Sequence, residues 1–174
     1  IGGNFLWPKG RIPYRINTDS FGSIAAVAKK AVKRAIKHLN RHTNLNVTPK
    51  TGTDRNYIEF TFSPGRCSSP VGMQGRAQPI NIDPRGCPWP SVAHEIIHSA
   101  GFWHTQSRAD RDEYIRIQTQ NIRAGSTHNF SKHTTTSRNG KARIVDVPYD
   151  VHSLMHYHSF AFAIKRGSAR ERSR

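Results

Sequence analysis

Between Ser23 and about His42 the apolar residues Ile24, Val27, Ala28, Ala31, Val32, Ala35, Ile36 and Leu39 recur three or four positions apart. A helix with 3.6 residues per turn gathers such positions into one stripe. Lys29, Lys30, Lys33, Arg34, Lys37 and Arg41 fill the remaining positions. The spacing predicts an amphipathic helix with a cationic outer face, capped near Ser20 or Ser23. Ile12, Tyr14 and Ile16 instead alternate and predict a strand, Tyr57, Ile58, Phe60 and Phe62 suggest a second, and Ile80 with Ile82 a third. Pro64, Gly65, Pro70, Gly72, Pro79, Pro84, Gly86 and Pro88 punctuate residues 63–90, where long ordered loops are expected. A second helix is predicted over Ser91–Ala100, with Ser91 as its N-cap after Pro90. Residues 123–146 are polar and carry no clear period. The stretch from Lys165 to Arg174 is strongly basic and reads as disordered or weakly ordered.

Composition adds bounds to this pattern. The 174 residues suit one domain with a sizeable core. No run approaches 18 apolar residues, which excludes a transmembrane helix. A net charge of +16 would by itself suggest a binder of polyanions or anionic surfaces. No motif that reads DNA or RNA accompanies it, so specific nucleic-acid binding is not expected. The chain opens on Ile1 with no apolar signal-peptide core behind it, as expected of a processed chain or of a trimmed piece. Cys67 and Cys87 could form one disulfide in an oxidising compartment or stay as two free thiols; their number leaves both open.

The chemistry lies in His94-Glu95-Ile96-Ile97-His98, inside the second predicted helix. Residues four apart share a helical face, so His94 and His98 can aim ring nitrogens at one metal ion. Glu95 then stands beside the metal, where it can accept a proton from an activated water. Gly101 follows His98 by three positions and His104 follows it by six. A third ligand ten positions after the first reaches the same ion only if the helix stops and turns, and glycine permits the left-handed backbone that such a turn needs. The pentad alone is expected by chance in roughly one comparable chain per hundred, the full set in on the order of one in ten thousand. Three neutral imidazoles leave a fourth position open, the arrangement of catalytic zinc. His38, His42, His128 and His133 read as ordinary helix and loop histidines.

The run from His94 to His104 resembles the zinc signature of metzincin proteases. Phe102, together with Arg108-Ala109-Asp110-Arg111-Asp112, makes it similar to the astacin family in particular. Ser153-Leu154-Met155-His156-Tyr157 resembles that family's methionine turn, and the likeness extends to Leu6-Trp7, Ile12-Pro13-Tyr14 and Val71-Gly72 through Gln78. The resemblance implies an α+β fold, a metzincin-like two-lobed zinc protease domain with a mixed twisted sheet and two main helices. Its upper lobe would cover about 1–100, its lower lobe about 101–164 and shortened at the C-terminal end, with a basic tail over 165–174. One Zn2+ would be held by His94, His98 and His104, with Tyr157 as a displaceable further ligand that can stabilise an oxyanion. Glu95 would be the general base and Met155 an apolar floor beneath the metal. Cys67 and Cys87 would form a disulfide, and the strand around Arg76–Ile82 would pair with an extended substrate.

The function implied is that of a secreted zinc endopeptidase acting on proteins or peptides. An inactive or weakly active zinc protein is the second reading. A module that holds anionic polysaccharides or surfaces through its basic patches is the third, and it is compatible with the first. The pattern departs from the family at Thr105, where a Glu that ties the mature N-terminus is usual, and at Asn44, which stands where half of a second disulfide is common.

Overall fold

Ile12, the first alternating apolar residue, is completely buried, and the strand that carries it organises a sheet. The computed structural model describes residues 6–133 and 147–164. In chain order the elements are β1 (Arg11–Ile16), a single turn α1 (Thr18–Phe21), α2 (Ala25–His42), β2 (Asn46–Pro49), β3 (Tyr57–Phe62), β4 (Cys67–Ser68), β5 (Ala77–Ile82) and α3 (Trp89–Ser99). The strands form one mixed sheet in the order β2-β1-β3-β5-β4, in which only β4 runs antiparallel to its neighbour. The α+β class, the mixed sheet and the two main helices are as expected.

The core forms where the two periodicities meet. Ala28, Val32, Ala35, Ile36 and Leu39 from α2 pack with Ile12, Ile58, Phe60, Ile80 and Ile82 from the strands and Val92, Ala93 and Ile96 from α3. Each large apolar side chain so removed from water contributes about 1.5–3 kcal/mol before the entropy of ordering is subtracted. Cys67 and Cys87 are joined by a disulfide, which ties β4 to the loop between β5 and α3. Asp83 fixes the same loop, accepting hydrogen bonds from the Gly65 N–H and from the Arg85 N–H and guanidinium.

Two helix starts differ from expectation. Neither Ser20 nor Ser23 caps α2. Asn17 caps the preceding turn α1, its Oδ1 accepting from Ser20 N, and α2 begins at Ala25 without a side-chain cap. Ser91 is not the cap of α3 either, because that helix starts two residues earlier at Trp89, with Pro88 at the cap position. Pro90 therefore lies inside the first turn, where its missing N–H is one that no helical carbonyl would have received.

The chain divides into two compact units, Ile1–Phe102 and Trp103–Arg174. The described residues of the second unit form 3₁₀ turns and an isolated antiparallel bridge between Ile122 and Ala163. Polar contacts tie these pieces: Arg108 forks onto Asp110, Arg111 donates to the Gln106 and Phe130 carbonyls, and Lys132 pairs with Asp112. The expectation of disorder over 165–174 falls outside the described residues.

Candidate active site

The last carbonyls of a helix lack helical partners, and in α3 each of the last four finds a donor elsewhere. The Ile96 carbonyl accepts from Ala100 N and the Ser99 hydroxyl, and the Ile97 carbonyl from Phe102 N. The His98 carbonyl accepts from both Gly101 N and Gly72 N, and the Ser99 carbonyl from the Trp7 indole at 2.7 Å. Gln78, only 2% exposed, holds the Gly72 loop in place by donating to the Gly72 carbonyl and accepting from Gln74 N. Gly101 has φ +108, a backbone that side-chain-bearing residues rarely adopt, and there the chain leaves the helix.

His94 and His98 stand one turn apart on α3, rings edge to face with centroids 4.6 Å apart. Along the stretch from His94 to His104, one ring nitrogen from each of His94, His98 and His104 lies within 4.8 Å of the other two. The structure thus brings together the three histidines singled out by spacing. His98 Nδ1 lies 2.8 Å from the Phe102 carbonyl. A carbonyl can only accept, so Nδ1 carries the proton and Nε2 keeps the lone pair a metal needs. Burial, aided by His94 and opposed by the Phe102 carbonyl, brings the His98 ring down to about 4, so it is neutral near pH 7. Neutral imidazoles in this number are a donor set that fits zinc.

Glu95 sits on the same helix, 6% exposed, and burial pushes its carboxyl up to about 7. A dication beside it acts in the opposite direction, so a metal would restore the carboxylate that a proton acceptor requires. Met155 is buried, and its carbonyl accepts from Thr105 N at 2.8 Å, next to the third histidine. The Tyr157 ring centroid lies 4.4 Å from that of His104, and burial raises its phenol above the ordinary tyrosine value.

Three residues to which the sequence assigns no role surround Tyr157. Gln106 Oε1 accepts from Tyr157 N at 3.0 Å, His156 Nδ1 lies 2.7 Å from the Tyr157 carbonyl, and the Tyr149 hydroxyl lies 2.9 Å from His156 Nε2. Gln106 and His156 adjoin motif residues in the sequence, but adjacency alone says nothing about which main-chain groups they reach.

A mixed α+β sheet domain whose ligand helix carries two histidines and a buried glutamate, with a third histidine just beyond a glycine turn, defines a zinc-site protein of the metzincin type. Residues 3–169 match the peptidase family Astacin, and the chain belongs to it. It is 37% identical over 161 residues to Nematocyst expressed protein 6 of Nematostella vectensis, covering 90% of this chain and 52% of that protein. It is 34% identical over 163 residues to Zinc metalloproteinase nas-14 of Caenorhabditis elegans, covering 91% of this chain and 30% of that one. The chain thus spans about half or less of the length of these curated relatives. Its fold is similar to that of High choriolytic enzyme 1, a hatching enzyme zinc-protease from Oryzias latipes, with a TM-score of 0.79, 32% identity, and coverage of 94% of this chain and 78% of that one.

Proposed function

We propose that the chain is a zinc-dependent endopeptidase domain in which His94, His98 and His104 hold the ion, with Tyr157 as a further, displaceable ligand. The observation that carries this reading is the convergence of three histidine nitrogens within 4.8 Å on a segment that also bears the buried Glu95. When bound, zinc supplies a Lewis acid that polarises a peptide carbonyl and acidifies water. Glu95 takes the proton of the attacking water on its carboxylate and returns it to the leaving amine nitrogen as the C–N bond breaks. The Tyr157 phenol donates a hydrogen bond to the oxyanion that develops on the former carbonyl. No side-chain nucleophile is required. An extended peptide has a place to pair along β5, because β4 reaches only Ile82 and Asn81 and, among the described residues, leaves the outer side of Ala77–Ile80 without a partner strand. Pro79, which has no N–H to give a ladder, suits such an edge.

Glu95→Gln tests this reading. It should keep stoichiometric zinc yet lose at least about 10³-fold of the chelator-sensitive hydrolysis of casein or a chromogenic peptide. Undiminished hydrolysis would sink the assignment.

The disulfide favours an extracellular setting, and no described helix is long and apolar enough to cross a membrane. A second role is supported by α2, whose Lys29, Lys30, Lys33, Arg34, Lys37 and Arg41 are all exposed and enter none of the ion pairs among the described residues. This face suits an anionic polysaccharide. Lys33→Glu with Lys37→Glu should then lower the salt needed for elution from heparin, more than two equivalent reversals at Arg116 and Arg123 do.

A further inference from the structure

The proposed role of Tyr157 demands that its phenol be aimed, and the second unit contains a device suited to that. The Tyr157 main chain is gripped from both sides. Its N–H is received by Gln106 Oε1, and its carbonyl is met by His156 Nδ1. Since a carbonyl only accepts, His156 Nδ1 must carry the ring proton, which leaves Nε2 as an acceptor for the Tyr149 hydroxyl. The Tyr149 ring is itself stacked on Tyr114, with centroids 4.7 Å apart and planes 7° from parallel. The hydroxyl thereby fixes the tautomer of His156, and the tautomer fixes the grip on the Tyr157 carbonyl.

Two costs in the fold single out this arrangement. Gln106 is 1% exposed, yet its Nε2 has no hydrogen-bond partner among the described residues. A buried amide left half-satisfied costs stability, and its other half is engaged by Tyr157 N. Phe162, whose ring centroid lies 5.6 Å from that of Tyr157, holds a left-handed backbone at φ +58, which is strained for a bulky side chain. Unsatisfied and strained groups gathered around one tyrosine are what a site shows when position matters more than stability.

We propose that Gln106, Tyr149 and His156 form a clamp on the main chain of Tyr157 and act as positioning residues, holding its phenol where the reaction and the metal need it. The inference rests on the proposed role of Tyr157, and it adds the residues through which that role is set.

The test is a double-mutant cycle on the zinc-loaded protein with two readouts, peptide hydrolysis and zinc affinity in competition with a chelating dye. Tyr149→Phe removes one hydroxyl and keeps the ring that stacks on Tyr114. It should lower kcat about tenfold with KM within about twofold, and weaken zinc affinity about tenfold. His156→Ala should act in the same direction. His156→Asn, whose amide can occupy the Nδ1 position and donate to the same carbonyl, should recover most of the loss. In the Tyr157→Phe background neither Tyr149→Phe nor His156→Ala should lower either readout further. Equal losses in both backgrounds would mean general support of the fold and would overturn the clamp. So would full activity and zinc affinity in Tyr149→Phe and His156→Ala when Tyr157→Phe is impaired. A silent Tyr157→Phe would instead remove the role of Tyr157, and the clamp with it. Should Tyr149→Phe fail to fold, the contrast of His156→Ala with His156→Asn carries the same decision.

Discussion

Burial moves Glu95 and His98 in opposite directions on the pH scale, and both shifts favour the neutral form. For His98 this is the form a metal binds; for Glu95, raised to about 7, a positive charge beside it would favour the carboxylate that accepts a proton. One helix turn thus holds a neutral imidazole suited to a metal and a carboxyl whose ionisation a metal would promote. Backbone conformation is as consequential here as charge. Gly101 at φ +108 takes the chain out of α3 three residues before His104. Gly101→Ala should destabilise the protein by about 1–2 kcal/mol in urea unfolding, since a Cβ is disfavoured there. It should also weaken zinc affinity by more than that loss alone predicts, because His104 is displaced. A variant with wild-type affinity and stability would show that the turn tolerates a side chain. Trp7 supplies a comparable single contact: Trp7→Phe leaves the buried Ser99 carbonyl without its 2.7 Å donor and should cost about 1–3 kcal/mol by the same measurement.

At the scale of elements, the least expected feature is how the edge strand β2 is held. Asn40 on α2 donates through Nδ2 to the Val47 carbonyl and accepts at Oδ1 from Val47 N, both at 2.9 Å. The side-chain amide behaves like a further peptide group, so a helix residue pairs with the main chain of Val47. Asn40→Asp keeps the acceptor but sets a carboxylate against a carbonyl. It should lower stability by about 1–3 kcal/mol and speed amide exchange in β2 more than in β3; uniform exchange would count against this role. Strand β2 was not legible in the sequence, because Val47 is the one buried residue in its four and a single position has no period. The long helix α2 was legible because eighteen residues repeat one pattern often enough to outweigh local noise. The caps were misplaced for a physical reason: serine favours a cap, but Asn17 and a proline-tolerant first turn satisfied the same need elsewhere. The meeting of His94, His98 and His104 was legible since covalent spacing along a helix and one turn constrains their geometry. The clamp was not, because Gln106 and Tyr157 are 51 residues apart and only the folded chain brings them together.

For the molecule as a whole, acid and salt probe different parts of its electrostatics. Asp54 receives the Arg11 guanidinium in a fork and also the Thr51 N–H, which hold its carboxyl well below the usual range; Asp83 is held low in the same way by Arg85 and the Gly65 N–H. A depressed carboxylate stabilises the fold fully above the unfolded-state value of about 3.9, and that contribution is lost as the pH falls below it. Asp54→Asn should therefore lower Tm at pH 7, with the difference from wild type narrowing below about pH 4. A constant difference across that range would show that the pair does not control acid sensitivity.

Salt acts on the remainder of a +16 charge. Raising ionic strength from about 0.01 to 0.15 M shortens the screening length from about 30 to 8 Å. The ion pairs, such as Arg85–Asp83 at 2.8 Å and Lys132–Asp112 at 2.6 Å, lie well inside even the shorter length and lose little. Repulsion among cations spread over the surface acts across longer distances and is largely removed. With 27 basic against 11 acidic side chains, the repulsive part is the larger, so added sodium chloride should raise Tm at pH 7. Replacing Lys29, Lys33 and Lys37 on the outer face of α2 by Gln should reproduce part of that gain at low salt and flatten the salt response. A Tm that falls with salt would mean that the short ion pairs outweigh the surplus of positive charge.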